Sequence, residues 1–295
     1  MKKRKVVIIG SGNIGMDLMY KVRKSSYLEM SLLIGLDADS PRLLKAKELG
    51  IAVSDQGIQA LIDSPDAGDI VFDATTAYAH KEHAPILRKL GKLAIDLTPA
   101  SVGAKVLPAY NLEENLDKDN INMVSCGGQA LIPIIRAVSD VVDVEYAELL
   151  ITNSSKSVGP GTRVNMDEFI NNTRRAAMEL GRAKRVKVIG GINPADPPIK
   201  MHNSLYMLLK DLDTDMEKRV EQAINDIIQK IKAYVPGYKV ITTPQFDNKK
   251  KMVMLQTEVE GAGDYLPSYA GNLDIINQAA IAVAERFAKK MGEGA

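Results

Sequence analysis

The chain has 295 residues, 45% apolar and 25% charged, which is room for two domains with cores of their own and the profile of an ordinary soluble enzyme. Its formal net charge of +1 excludes the global field that nucleic acid or an anionic membrane would select, and its single cysteine excludes an internal disulfide. No apolar run approaches a membrane span, and the absence of Trp with only 4 Phe weighs against base or sugar stacking.

In chain order, Lys2 to Lys5 precede an apolar stretch that is short and breaks at Gly10. They are read as the solvated flank of a first strand, not an export signal, and a lone cysteine suits a reducing cytoplasm. Residues 6–9 form a buried strand, 13–23 a helix, and 30–36 a second strand ending at Asp37. Ser40 and Pro41 supply an N-cap and an N1 proline for a helix through Leu49 that stops at Gly50. Residues 70–74 and 93–97 are strands flanking a helix over 79–90, closed by Gly91. This alternation predicts a Rossmann-type, doubly wound parallel sheet. A β-like run at 122–124 leads into Cys126, and an apolar segment follows over 131–142.

The texture then changes. Residues 144–152, 186–192, 238–244 and 252–260 read as longer, alternating strands, the last two joined by a hairpin at 246–251. Helices over 167–181 and 216–234 pack between them, and an alanine-rich amphipathic helix over 273–291 ends the pattern. This part reads as an α+β domain on a mostly antiparallel sheet. The expected division is 1–130 with 272–295 for the first domain, and 131–271 for the second.

Gly10-Ser11-Gly12-Asn13-Ile14-Gly15 follows a strand and opens a helix, the context a dinucleotide fingerprint needs. Gly10 permits the tight turn, Gly12 lets a pyrophosphate approach the backbone, and Gly15 lets the helix pack closely. Asp37, at the end of the second strand, is placed to take ribose hydroxyls and to repel a 2′-phosphate, which favours NAD; Asp39 is the alternative acid. Cys126 lies in Ser125-Cys126-Gly127-Gly128-Gln129. Helix N-terminal N–H groups there would lower its pKa, into the range of about 3.5–7.5, and could hold an oxyanion. The competing reading is a small buried hydrophobe, against which the two glycines and polar flank argue. A polar stretch from Asn153 to Asn165 leaves a strand; it is either a surface connection with Asn165 as the next N-cap, or a loop that closes over a flat cofactor ring. His80 and His83 have ligand-like spacing without a third ligand, so no metal site is expected. His202 with Asn203 is either a helix start or an acid/base or orienting pair beside the thiol.

With these motifs the chain resembles the acylating acetaldehyde dehydrogenases of bacterial meta-cleavage pathways of aromatic catabolism. The resemblance spans essentially the whole length. It rests on the fingerprint, Asp73-Ala74-Thr75-Thr76-Ala77, Ile95 to Pro99, Ser125 to Gln129, Ser155 to Arg163, Asn193-Pro194 with Pro197-Pro198, and Ala270 to Ile275. It implies an architecture related to aspartate-semialdehyde dehydrogenase. It makes Cys126 the acyl-thioester nucleophile and Ser11 to Ile14 the pyrophosphate contact. It sets Ser157, Val158, Gly159, Pro160, Gly161, Thr162, Arg163, Val164 and Asn165 against the cofactor, and Asn272 near its nicotinamide end. It also implies a C-terminal helix that returns to the first domain, a homodimer through the antiparallel sheet, and a complex with 4-hydroxy-2-oxovalerate aldolase. One departure stands out: Asn203 occupies the place of a family Asp. Either His202 and the helix dipole activate the thiol, or a base there is not essential.

The expected reaction is oxidation of acetaldehyde, or another short aldehyde such as propanal, to acyl-CoA with NAD and coenzyme A through a Cys126 thioester. Cofactor and substrate are expected at the carboxyl edge of the parallel sheet. The rivals are a phosphate-dependent semialdehyde dehydrogenase, which needs an arginine pair near the thiol, and a non-enzymatic NAD-binding scaffold. In the scaffold case Cys126→Ser would leave function intact.

Overall fold

The fold, a computed structural model describing residues 2–293, begins with β1 (Arg4–Ile9), α1 (Asn13–Lys24), β2 (Leu28–Ile34), α2 (Pro41–Glu48), β3 (Ala52–Ser54) and α3 (Gln59–Asp63). There follow β4 (Ile70–Asp73), α4 (Ala77–Lys89), β5 (Leu93–Asp96), β6 (Ala104–Lys105) and β7 (Asn120–Asn122). Seven strands lie in the order β3-β2-β1-β4-β5-β7-β6, all parallel. Val6, Val7 and Ile8 are fully buried, as a strand covered on both faces requires. The strand order reverses between β1 and β4, the switch point where such sheets take ligands. β3, β6 and β7 have two or three residues each, too few to show a period in sequence.

The remaining elements are α5 (Cys126–Ser139), β8 (Val144–Ser154), α6 (Pro160–Val164), α7 (Met166–Glu179), β9 (Val186–Asn193), β10 (Met201–Leu209), α8 (Thr214–Lys232), β11 (Tyr238–Asp247), β12 (Met252–Val259) and α9 (Gly271–Glu293). Five strands form a second sheet in the order β11-β12-β10-β8-β9, antiparallel except for β8 with β9. α5 packs on β8 and β10, and α8 on α5.

β10 corrects the sequence reading most. Residues 200–204 do not start a helix; they enter the middle strand of the second sheet. Met201, Asn203, Leu205, Met207 and Leu209 are buried and the residues between them half-buried, a period of two. His, Asn and Ser at its start hide that period from a hydropathy pattern.

The described residues divide into one unit of residues 2–123 with 277–293, and another from Val124 to Ile276. The boundaries expected at 130 and 272 lie a few residues from these, and Cys126 opens a helix that packs on the second sheet. In the first unit, α9 is tied down by Arg286 on Glu113, Lys290 on the Leu116 carbonyl, and Glu285 accepting from Ser25.

Candidate active site

Val124 has φ of 63°, left-handed backbone that a β-branched residue adopts only under strain. The bend turns the chain from β7 into α5. Ser125 is the N-cap and its Oγ accepts the Gly128 N–H at 2.9 Å. The Ser125 hydroxyl lies 2.7 Å from Thr173 Oγ1, whose own proton goes to the Phe169 carbonyl. Ser125 therefore donates to Thr173, and its rotamer is set from both sides. Cys126 is the first residue of the helix. A Cβ at Gly127 would stand 2.2 Å from Ile151 Cδ1, so glycine lets this first turn lie against β8.

Cys126 is half-buried. Burial pushes its thiol up to about 11, while the backbone N–H groups of Gly127 and Cys126 and the side chain of Asn153 favour the thiolate and pull it down. The expected acidic thiol is not what the fold builds. The three groups that favour the thiolate are neutral, and desolvation outweighs them.

Asn203 is 2% exposed and donates Nδ2 to Thr257 Oγ1 at 3.2 Å; its Oδ1 has no hydrogen-bond partner. Thr257 reaches the buried Tyr238 hydroxyl, which donates to the Ala130 carbonyl at 2.7 Å. This chain runs from β10 through β12 and β11 to α5. Asn203 acts in it as a donor, a role a carboxylate cannot fill.

His202 is adjacent in sequence but lies on the opposite face of the strand. Its Nε2 is 3.5 Å from Glu258 Oε2, and Nδ1 is 3.4 Å from the Lys200 carbonyl. The alternation that buries Asn203 turns His202 away from the face that carries α5, so His202 leaves the expected catalytic set.

The cofactor residues on the fingerprint fit a dinucleotide. Gly10 has φ of 107°, and a Cβ there would meet the Ala74 carbonyl at 2.5 Å. A Cβ at Gly15 would lie 1.8 Å from the Gly10 carbonyl, while Gly12 faces open space. α1 has neither a side-chain cap nor an acid in its first turn, so its N–H groups are left for an anion. Sequence reasoning missed Arg42, whose guanidinium donates to Asn13 Oδ1 at 2.9 Å. Asp37 is exposed beyond β2, and its Oδ1 accepts the Asp39 N–H at 3.1 Å. Ser40 heads α2 without a side-chain cap bond, contrary to expectation.

Ser157 to Asn165 are not an open loop. Pro160–Val164 form α6, and Arg163 turns inward, donating to the carbonyls of Val158 and Ser155. Asn165 sits at the N-cap of α7 but gives its Nδ2 to the Gly161 carbonyl instead of capping. Asn272, in the first turn of α9, has an Oδ1 without a partner.

The histidines at 80 and 83 make a different cluster from the one their spacing suggests. Asp73 Oδ2 accepts from His80 Nδ1 at 2.9 Å and His83 Nδ1 at 2.7 Å. Asp96, its neighbour on β5, accepts from Thr98 N at 2.7 Å and Asn122 Nδ2 at 2.8 Å, with His80 Nε2 at 3.6 Å. Burial alone would raise Asp73, but the two histidines hold its carboxyl well below the usual range. Burial raises Asp96 to about 6. Burial opposes charge on His80, yet its bond to Asp73 raises it overall.

A family profile described as "Prokaryotic acetaldehyde dehydrogenase, dimerisation" matches residues 126–267. The acetaldehyde dehydrogenase of Desulfitobacterium hafniense is 52% identical over 290 residues, covering 98% of this chain and 97% of the relative. That of Bacillus cereus is 52% identical over 291 residues, covering 99% and 96%. The propanal dehydrogenase (CoA-propanoylating) of Mycobacterium tuberculosis is 46% identical over 294 residues, covering 98% and 96%. Among solved structures, aspartate semialdehyde dehydrogenase II of Vibrio cholerae shares the fold, with a TM-score of 0.67 at 12% identity over 98% of this chain and 99% of that one.

Proposed function

Because the chain belongs to the acetaldehyde dehydrogenase family, we propose that it oxidises acetaldehyde and other short aldehydes to acyl-CoA through a thioester on Cys126. The observation that carries this reading is the lone thiol at the first residue of α5, where the backbone N–H groups of Cys126 and Gly127 favour its thiolate. The sulfur attacks the aldehyde carbon, and the N–H groups that meet it stand beside the oxygen as it gains charge. NAD, which the Gly10 to Gly15 turn would hold, would supply the hydride acceptor for this oxidation. The CoA thiolate then attacks that thioester and frees Cys126 for another cycle.

Gly10, Ser11, Gly12, Asn13, Ile14 and Gly15 would hold the pyrophosphate of NAD, with Asp37 on the ribose. The 157–165 segment and Asn272 complete the set that we assign to the cofactor. With Arg163 turned inward, that segment offers backbone and small side chains instead of a cation. Asn203 orients, and needs no basicity to do so.

Residues 126–267 carry the dimer contact, in our reading through the sheet face of Ser204, Tyr206 and Gln256, opposite α5. No helix among the described residues is long and apolar enough to cross a membrane; we place the enzyme in the cytoplasm, with the aldolase as its source of aldehyde. The test is NADH formation from acetaldehyde and NAD with CoA or with phosphate, for the parent and Cys126→Ser. Turnover that requires CoA and is lost in the variant, with NAD affinity kept, is expected. Turnover with phosphate alone, or a fully active variant, would overturn the reading.

A further inference from the structure

We propose that Asn153 is a second catalytic residue, its side-chain amide donating to the Cys126 sulfur and then to the oxyanion that forms beside it. This rests on the thioester reading above. Asn153 is the penultimate residue of β8 and is 8% exposed. Strand alternation puts it on the same face as Ile151, the side chain against which Gly127 packs, and as Asn203, paired with Ile151 across the ladder. Its side chain is among the groups that favour the Cys126 thiolate, and its Oδ1 is buried without a partner. A buried amide left half-satisfied is costly for stability and marks a place kept for another purpose.

The step balances as follows. The thiol proton leaves to solvent, the sulfur pair forms the S–C bond, and the carbonyl π pair moves to oxygen. The oxygen pair then re-forms the carbonyl as hydride departs to the oxidised nicotinamide. The oxyanion is bonded to the carbon that the sulfur attacks, so a donor beside the sulfur reaches it with a small movement. Backbone N–H groups of Cys126 and Gly127 belong to the helix and cannot turn; the Asn153 amide can.

The experiment compares the parent with Asn153→Ala, Asn153→Asp and Asn153→Ser. It reads steady-state turnover with acetaldehyde, NAD and CoA, the pH midpoint of iodoacetamide alkylation at Cys126, NAD affinity and thermal unfolding. Asn153→Ala is expected to lower kcat/KM by about 10²- to 10³-fold, the usual cost of a lost oxyanion donor, with NAD affinity unchanged. Its alkylation midpoint should rise, and rise further in Asn153→Asp, where a carboxylate faces the thiolate. Asn153→Ser, which keeps a donor, should recover part of both. Turnover within about threefold of the parent in a folded Asn153→Ala overturns the proposal. So does lost turnover with an unmoved alkylation midpoint, the mark of a merely structural role. Should Asn153→Ala not fold, Asn153→Ser and Asn153→Asp decide by the same midpoints. An inactive parent would overturn the thioester reading, whereas the midpoints test the sulfur contact without any turnover.

Discussion

The hydroxyl of Ser125 lies 2.7 Å from that of Thr173, and this contact joins the cap of α5 to α7. Thr173 is fully buried and spends its proton on the Phe169 carbonyl, so it accepts from Ser125. Thr173→Val keeps the volume and removes the acceptor. It should cost about 1 kcal/mol in chemical denaturation, the range of a lost cap or hydrogen bond, and lower kcat more than it raises KM. An unchanged kcat would show that the cap holds without α7.

His202→Ala should leave the alkylation profile of Cys126 where it is, since His202 stands on the other face of β10 with Glu258. The parent thiol should alkylate slowly at neutral pH, because burial holds it near about 11. A midpoint in the parent below pH 8, or one displaced by His202→Ala, would contradict this arrangement.

Asp37 is exposed, and its side chain accepts from the Asp39 amide in the loop after β2. On our assignment the parent prefers NAD, and Asp37→Ala should relax the preference by lifting repulsion of a 2′-phosphate. The comparison is kcat/KM for NAD against NADP. A parent that prefers NADP removes Asp37 from this role.

The Asp73–His80–His83–Asp96 cluster should imprint stability on pH. Asp73 is held low, so its contribution is present above its unfolded value of 3.8 and fades as pH falls below it. Asp96 is raised to about 6, so the folded state keeps its proton longer and stability falls between 3.8 and about 6. His80 is raised from 6.5; its contribution is full below that value and is lost as pH rises through the folded value. Denaturant midpoints across pH 4 to 6 should therefore decline in the parent and flatten in Asp96→Asn. Asp73→Asn should cost roughly 3–5 kcal/mol near neutrality, because it removes the buried carboxylate that both His80 and His83 bond. Equal slopes for parent and Asp96→Asn would show that Asp96 ionises normally.

The features legible in the sequence are those whose physics is local. The fingerprint from Gly10 to Gly15 was readable because a strand, a tight turn and a helix start follow one another within a dozen residues. Cys126 was readable because Gly127 and Gly128 beside it announce a close-packed helix start. What lies far apart in the chain was decided only by the tertiary structure. Asn153 and Asn203 share a face because β8 and β10 pair antiparallel, whereas His202 loses its place through a period of two that no spacing reveals. Thr173, Thr257 and Tyr238 carry no sequence signal of their own; they matter through the hydrogen bonds that α7, β12 and β11 bring to α5. The thiol pKa reverses its expected direction for the same reason: a helix terminus is a property of the neighbouring residues, but desolvation is set by everything that folds over them.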